Sequence, residues 1–345
     1  MRKLVVLLAL GCALVASGGA AQAKGPNPPG LERILGTVPA NPHAAAAVSG
    51  SGQLSYHGGP VMLTNKTYAI YWIPSGYSVS SLYVSLINRY LTDVAAASGQ
   101  TSNVYWSDTQ YYNASGTHIS YSSTFGGSYT DTDPFPASAC TDGVSQTTVC
   151  LSDAQIQSEV SKIKSRLGWV SNPSTLFFVF TPRYVGSCTG SYCAFRDYCA
   201  YHSWYGSGST VTLYANQPYT MTVPSSCDTG QHPNGSEADP TINVVSHEHN
   251  EAITDEQGNA WYDLAGYENG DKCAWDFGSA LGSTQYGLYN QLINGHTYYT
   301  QREYSNATAR CVLTGTKTAR RGGAARSRAR RASSRRPLRG GLQKR

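Results

Sequence analysis

Charge is scarce in this chain: Asp, Glu, Lys and Arg make up 14% of its 345 residues, against about 25% in an ordinary globular domain. Beyond Ala23 no segment approaches the roughly eighteen consecutive apolar residues of a membrane-spanning helix, so no span is expected in the body. No Gly-x-Ser-x-Gly elbow occurs, which argues against a serine hydrolase of the α/β type. The absence of a Walker element and of a strand-borne Gly-x-Gly-x-x-Gly argues against nucleotide chemistry. No pair of Cys-x-x-Cys spacings occurs, which argues against a zinc ribbon. The most telling absence is a single histidine. In Ser246-His-Glu-His-Asn-Glu-Ala-Ile-Thr-Asp255 the first two residues of an H-E-x-x-H zinc motif are present, but Glu251 stands where the second histidine belongs.

What is present begins as an export signal. Arg2 and Lys3 precede the apolar LVVLLALGCALVA, and Ala21-Gln22-Ala23 is a small-x-small cleavage site, so residues 1–23 are expected to be removed. Setting Cys12 aside with that signal leaves eight cysteines: Cys140, Cys150, Cys188, Cys193, Cys199, Cys227, Cys273 and Cys311. An even number in an exported chain predicts disulfides and an oxidising compartment. Local pairing is expected for Cys140–Cys150 and for one closure among Cys188, Cys193 and Cys199. The remaining connectivity is open at this level.

The net charge of +5 conceals two regions of opposite sign. Gly315 to Arg345 carries twelve Lys and Arg and no acid, leaving the rest at 14 basic against 21 acidic residues. Such a tail predicts disorder and attraction to polyanions. Without interleaved aromatics it has no platform for stacking bases, so an anionic wall or surface polymer is the expected partner rather than nucleic acid. Residues 24–51, with GPNPPG and NPHAAAAVSGS, read as a linker or pro-segment with little to bury. Residues 52–314 read as one globular domain.

Within that domain Thr67–Pro74 reads as a buried strand. Leu82, Leu86, Ile87, Tyr90 and Leu91 come next, at helical spacing behind serine caps. Ile156, Val160, Ile163 and Leu167 mark a second helix beginning at Ser152-Asp153. Val104 to Tyr129 reads as strands and loops. Leu176–Pro182 is apolar enough for a central strand, and the segment around VTLYANQP reads as an edge strand. Asp239-Pro240 opens the helix that carries the motif. The class is α+β: a mixed twisted sheet with packed helices, rich in disulfides, with an element order similar to zincin metallopeptidases.

On a helix His247 and Glu251 share one face, so both can hold one ion. Catalytic zinc takes three protein ligands, carboxylates included. The third is sought among Asp255, Asp263, Glu268 and Asp271, with Glu268 favoured because a returning segment can face the helix; Asp255 and Asp271 are the alternatives. Glu248 is then the general base. Zinc is the expected ion and calcium the rival for so oxygen-rich a set. A His247–Glu251 pair can equally be an ordinary helix contact worth a few tenths of a kcal/mol. His249 is expected to pack on the apolar side, His57 to sit in a loop, and His202 to be structural.

Three long stretches carry a resemblance: YHGGPVMLTNKTYAIYWIP; VFTPRYVGSC with CAFRDYCAYHS; and HEHNEAITDEQGNAWYD with GYENGDKCAW. Together, across Gln53 to Leu313, the chain resembles the bacterial branch of the EXORDIUM (phosphate-induced protein) family. That resemblance implies a secreted protein of wall or surface. It also implies an H-E-x-x-E-A-x-T-D core at His247, Glu248, Glu251, Ala252, Thr254 and Asp255, where Glu256 departs from the usual proline. Plant members lack the His-Glu pair but keep an acid like Glu268 ahead of a cysteine like Cys273. The expected function is a secreted, zinc-dependent, metallopeptidase-like hydrolase acting on peptides. The alternative is a non-catalytic surface protein that binds polyanions through its tail.

Overall fold

The computed structural model describes residues Thr37–Ala40 and Gly52–Gly315. The signal, the rest of the linker and the basic tail lie outside the described residues. The described residues all fall within one compact unit.

Six strands make the main sheet: β1 (Thr37–Pro39), β2 (Asn65–Trp72), β3 (Ser123–Asp131), β4 (Thr175–Phe180), β5 (Tyr198–Tyr205) and β6 (Thr212–Gln217). Their spatial order is β1-β5-β6-β4-β2-β3. β3, β2, β4 and β6 run parallel, whereas β5 is antiparallel to β6 and β1 antiparallel to β5. Three long helices, α1 (Ser81–Ala96), α2 (Asp153–Leu167) and α3 (Ala238–Thr254), accompany the sheet. The class is mixed α+β.

Period-two alternation divides the core between the two faces of the sheet. Ala69, Tyr71, Leu176, Phe178, Leu213 and Ala215 pack with α1 and with Ile242, Val245, Ala252 and Ile253 of α3. Tyr68, Ile70, Trp72, Phe177, Val179 and Tyr214 pack with Ile156, Val160 and Ile163 of α2. With both faces covered, β4 is apolar from Leu176 to Phe180, as expected of a central strand in a parallel sheet. The Ser80 hydroxyl caps α1 by accepting from Tyr83 N at 3.0 Å. α2 begins with a capping box between Ser152 and Gln155.

Two local expectations change. Thr212–Gln217 is not an edge strand: it is buried along its length and lies between β4 and β5, registered Leu213↔Leu176 and Ala215↔His202. Val104–Gln110 is a 3-10 helix capped by the Asn103 side chain, ahead of strand β3. A third finding lies in the linker, whose composition promises little burial. There Thr37–Pro39 pairs with β5, and Val38 is fully buried.

Four disulfides join Cys140–Cys150, Cys188–Cys193, Cys199–Cys227 and Cys273–Cys311. The first two are local closures. Among the described residues no helix is long and apolar enough to cross a membrane.

Candidate metal centre

α3 is buried on every side, from Ala238 to Thr254. The face that carries His247 and Glu251 is enclosed with the rest of the helix, against the sheet and a returning loop. Buried polar groups need partners, and several on α3 find them along the helix or across it. Asn250 Nδ2 donates to Ser246 O at 2.7 Å, and Thr254 Oγ1 to Asn269 Oδ1 at 3.1 Å. His249 lies between the Tyr105 hydroxyl and Asn65 Oδ1, each 3.0 Å away. Burial pushes its pKa down to about 3, so it is a neutral, hydrogen-bonded part of the core. His57 stacks on Tyr262 with ring centroids 3.6 Å apart.

Two of the acids considered as ligands shape the return of the chain. Asp255 ends α3, and its Oδ1 accepts the backbone N–H groups of Asn259 and Ala260, each at 2.6 Å. Asp263 Oδ1 accepts from Ala265 N and Tyr267 N, while Oδ2 receives Lys272 Nζ at 2.6 Å. These turns bring Glu268–Asp271 back against α3. Gln301 Nε2 holds the Gly270 carbonyl at 2.8 Å, and the Cys273–Cys311 disulfide anchors the chain two residues past Asp271.

The returning segment completes two overlapping groups of ligand-type atoms, each lying within 4.8 Å: His247, Glu251 and Asp271, and His202, Glu251 and Glu268. In the first, His247 Nε2 is 2.9 Å from Glu251 Oε1 and 3.9 Å from Asp271 Oδ1. Asp271 N also donates to Glu251 Oε1 at 2.8 Å. In the second, His202 Nδ1 is 3.8 Å from Glu251 Oε2, and His202 Nε2 is 3.8 Å from Glu268 Oε1. His202 Nδ1 also lies 3.0 Å from Glu248 Oε2. The structure thus places Asp271 beside His247 and Glu251, and Glu268 beside Glu251 and His202.

Sequence reasoning leaves His202 out of the site. It lies far from the motif in the chain, and only the antiparallel pairing of β5 with β6 carries it beneath α3. No local pattern marks it.

Electrostatically the centre is acidic and enclosed. His247, Glu248, Glu251 and Glu268 are fully buried. Burial holds the Glu268 carboxyl well above the usual range, reinforced by Glu251, Asp255, Asp271 and Glu248. Among the described residues neither Glu268 oxygen accepts a hydrogen bond. Burial raises Asp255 to about 6. Neither ring nitrogen of His247 makes a hydrogen bond among the described residues, although Glu251 Oε1 is so close to Nε2. An imidazole nitrogen and carboxylate oxygens converging in this way suit a divalent ion that accepts both donor types.

Gly270 closes the floor of the site. A Cβ there would lie 3.0 Å from Glu251 Oε1 and 3.1 Å from His247 Cδ2 and Cγ. Its φ of −70° and ψ of −45° suit any residue, so close approach is the reason for glycine here. No protein-family model, curated protein or solved structure matches this chain.

Proposed function

We propose that the chain is an extracellular, zinc-dependent hydrolase of the metallopeptidase kind, with a zincin-like motif helix, related to the bacterial branch of the EXORDIUM family. The four disulfides, and the lack of a membrane-crossing helix among the described residues, are compatible with that location. The observation that carries the metal is Glu268: a fully buried carboxylate that no donor reaches among the described residues, set beside Glu251. An ionised group in that position is costly unless a cation neutralises it. His247 and Glu251 would hold the ion, with a carboxylate of the returning segment, Glu268 or Asp271, as the third ligand.

Bound zinc would supply Lewis-acid polarisation of a substrate carbonyl. The chain's own groups supply the proton handling. Glu248 adjoins the ligand face, with Oε2 oriented by His202 Nδ1 at 3.0 Å. Its carboxylate takes a proton from the attacking water and returns it to the leaving nitrogen. Burial of these groups strengthens each of these electrostatic interactions.

Glu248→Gln tests the reading. Hydrolysis of denatured casein falls about 10²- to 10⁴-fold, the range for losing a general acid–base, while zinc content is unchanged. Equal hydrolysis by variant and parent would refute the assignment of Glu248. Polyanion binding by the tail is a separate proposal, resting on its twelve cations alone.

A further inference from the structure

The carboxylate assigned as base is already in contact with a polypeptide. Glu248 Oε1 accepts a hydrogen bond from the backbone N–H of Val38 at 3.0 Å, in a buried setting. Val38 is the middle residue of β1, which lies antiparallel along the outer edge of β5 with Thr37↔Tyr201, Val38↔Ala200 and Pro39↔Tyr198. His202, which also lies 3.0 Å from Glu248, is the next residue along that edge. β1 is held at three further points. The Val38 side chain is fully buried in the core. Pro39 O accepts from Trp275 Nε1 at 2.9 Å, and Ala40 N donates to Asp197 O at 3.0 Å.

Neither propensity nor hydrophobic pattern explains this strand. It comes from a Pro/Gly/Ala-rich stretch with a single valine between Gly36 and Pro39. What the segment gains is the edge of β5. A sheet edge is a template for an added strand, and extended peptides bind proteins in this way through main-chain hydrogen bonds and alternate side-chain pockets. Here the added strand also places a backbone N–H on the carboxylate that would protonate a leaving amide nitrogen.

We propose that Thr37–Ala40 is a substrate surrogate held in cis. The β5 edge, Glu248 and Trp275 form a groove for an extended polypeptide, and the chain's own leader fills it until it is displaced. The ligand class is an unfolded or extended peptide laid antiparallel to β5, with a small β-branched side chain in the enclosed position of Val38. The term substrate rests on the hydrolase reading; the groove as a peptide-binding site does not.

The test uses the full chain, with a site-specific protease sequence placed within residues 41–51, folded, oxidised and then cut between leader and body. A labelled peptide of residues 33–44 (RILGTVPANPHA) is titrated by fluorescence anisotropy into uncut and cut protein, after a chase with excess unlabelled peptide. Casein hydrolysis is measured in parallel. A second variant, Val38→Asp, puts a charge into the buried position and displaces the leader without a cut. The expected result is no peptide binding to the uncut parent, saturable binding to the cut protein and to Val38→Asp, and at least tenfold faster hydrolysis by both. Binding without hydrolysis would uphold the groove and remove the hydrolase reading. Failure of the peptide to bind either opened form, or binding as tight to the uncut parent, would overturn the proposal.

Discussion

Gly270→Ala perturbs the centre without replacing a ligand. The backbone at Gly270 is right-handed and helical, so alanine adopts it freely. Restriction of the unfolded chain alone would stabilise the variant by about 0.4–1 kcal/mol. The new methyl, however, lies 3.0 Å from Glu251 Oε1 and 3.1 Å from two ring carbons of His247, where carbon contacts prefer about 3.5–4.0 Å. Both side chains must yield by several tenths of an ångström, away from their shared focus. Changes of this kind around a metal typically cost about 10- to 100-fold in affinity, or about 1.4–2.8 kcal/mol. The assay is zinc competition against a chromogenic chelator, beside thermal melting of the metal-free protein. Zinc affinity falls by at least tenfold while the metal-free melting temperature hardly changes. Equal affinity in parent and variant would mean that His247 and Glu251 do not hold the ion together.

Two further outcomes concern the scaffold. Glu256 is buried, its Oε2 accepts no hydrogen bond among the described residues, and burial raises its carboxyl to about 7. A carboxyl raised above its unfolded value favours the folded state below the unfolded pKa and loses that contribution as pH climbs through the folded one. Glu256→Gln therefore gains stability over the parent between about pH 4.5 and pH 8, by up to about 3 kcal/mol, and the difference closes below about pH 4. Urea denaturation across that range checks it, and parallel pH profiles would contradict it. Cys199–Cys227 encloses a separation of 28 residues and anchors β5. Replacing both cysteines by alanine costs about 3.5 kcal/mol by the chain-entropy relation, measured by urea unfolding. A loss below about 1 kcal/mol would show that the unfolded chain is not constrained in this way.

The parts of the fold legible in sequence are those set by local physics. The Ser80 and Ser152 caps and the buried stripes of α1 and α2 come from helical spacing, although Leu82, counted in the α1 stripe, is exposed at the first turn. Leu167 at the end of α2 is likewise at the surface. The closure Cys140–Cys150 is readable from spacing, and so is one closure among Cys188, Cys193 and Cys199, but not which; that choice, Cys199–Cys227 and Cys273–Cys311 depend on how the segments meet in space. The interior position of β6 depends on parallel pairing with β4, which leaves no local trace.

The site divides along the same line. His247, Glu248 and Glu251 are placed by helical periodicity, and the return of an acidic segment is inferable from its composition. Which acids face the helix is not. Asp255 and Asp263 place carboxylate oxygens on backbone N–H groups, a turn-forming role that competes with ligation and is visible only in three dimensions. His202 and Val38 reach Glu248 through strand pairing across long sequence separations, 46 residues for His202 and 210 for Val38.

The central claim is that the glutamate in place of the second histidine helps to hold a zinc ion. Elemental analysis of the oxidised, purified chain, beside His247→Ala, tests it most directly. The account predicts about one zinc per chain in the parent, the single-site occupancy of a catalytic zinc centre, and its loss in the variant. No zinc in either protein, even after incubation with the metal and dialysis, or equal zinc in both, would contradict it.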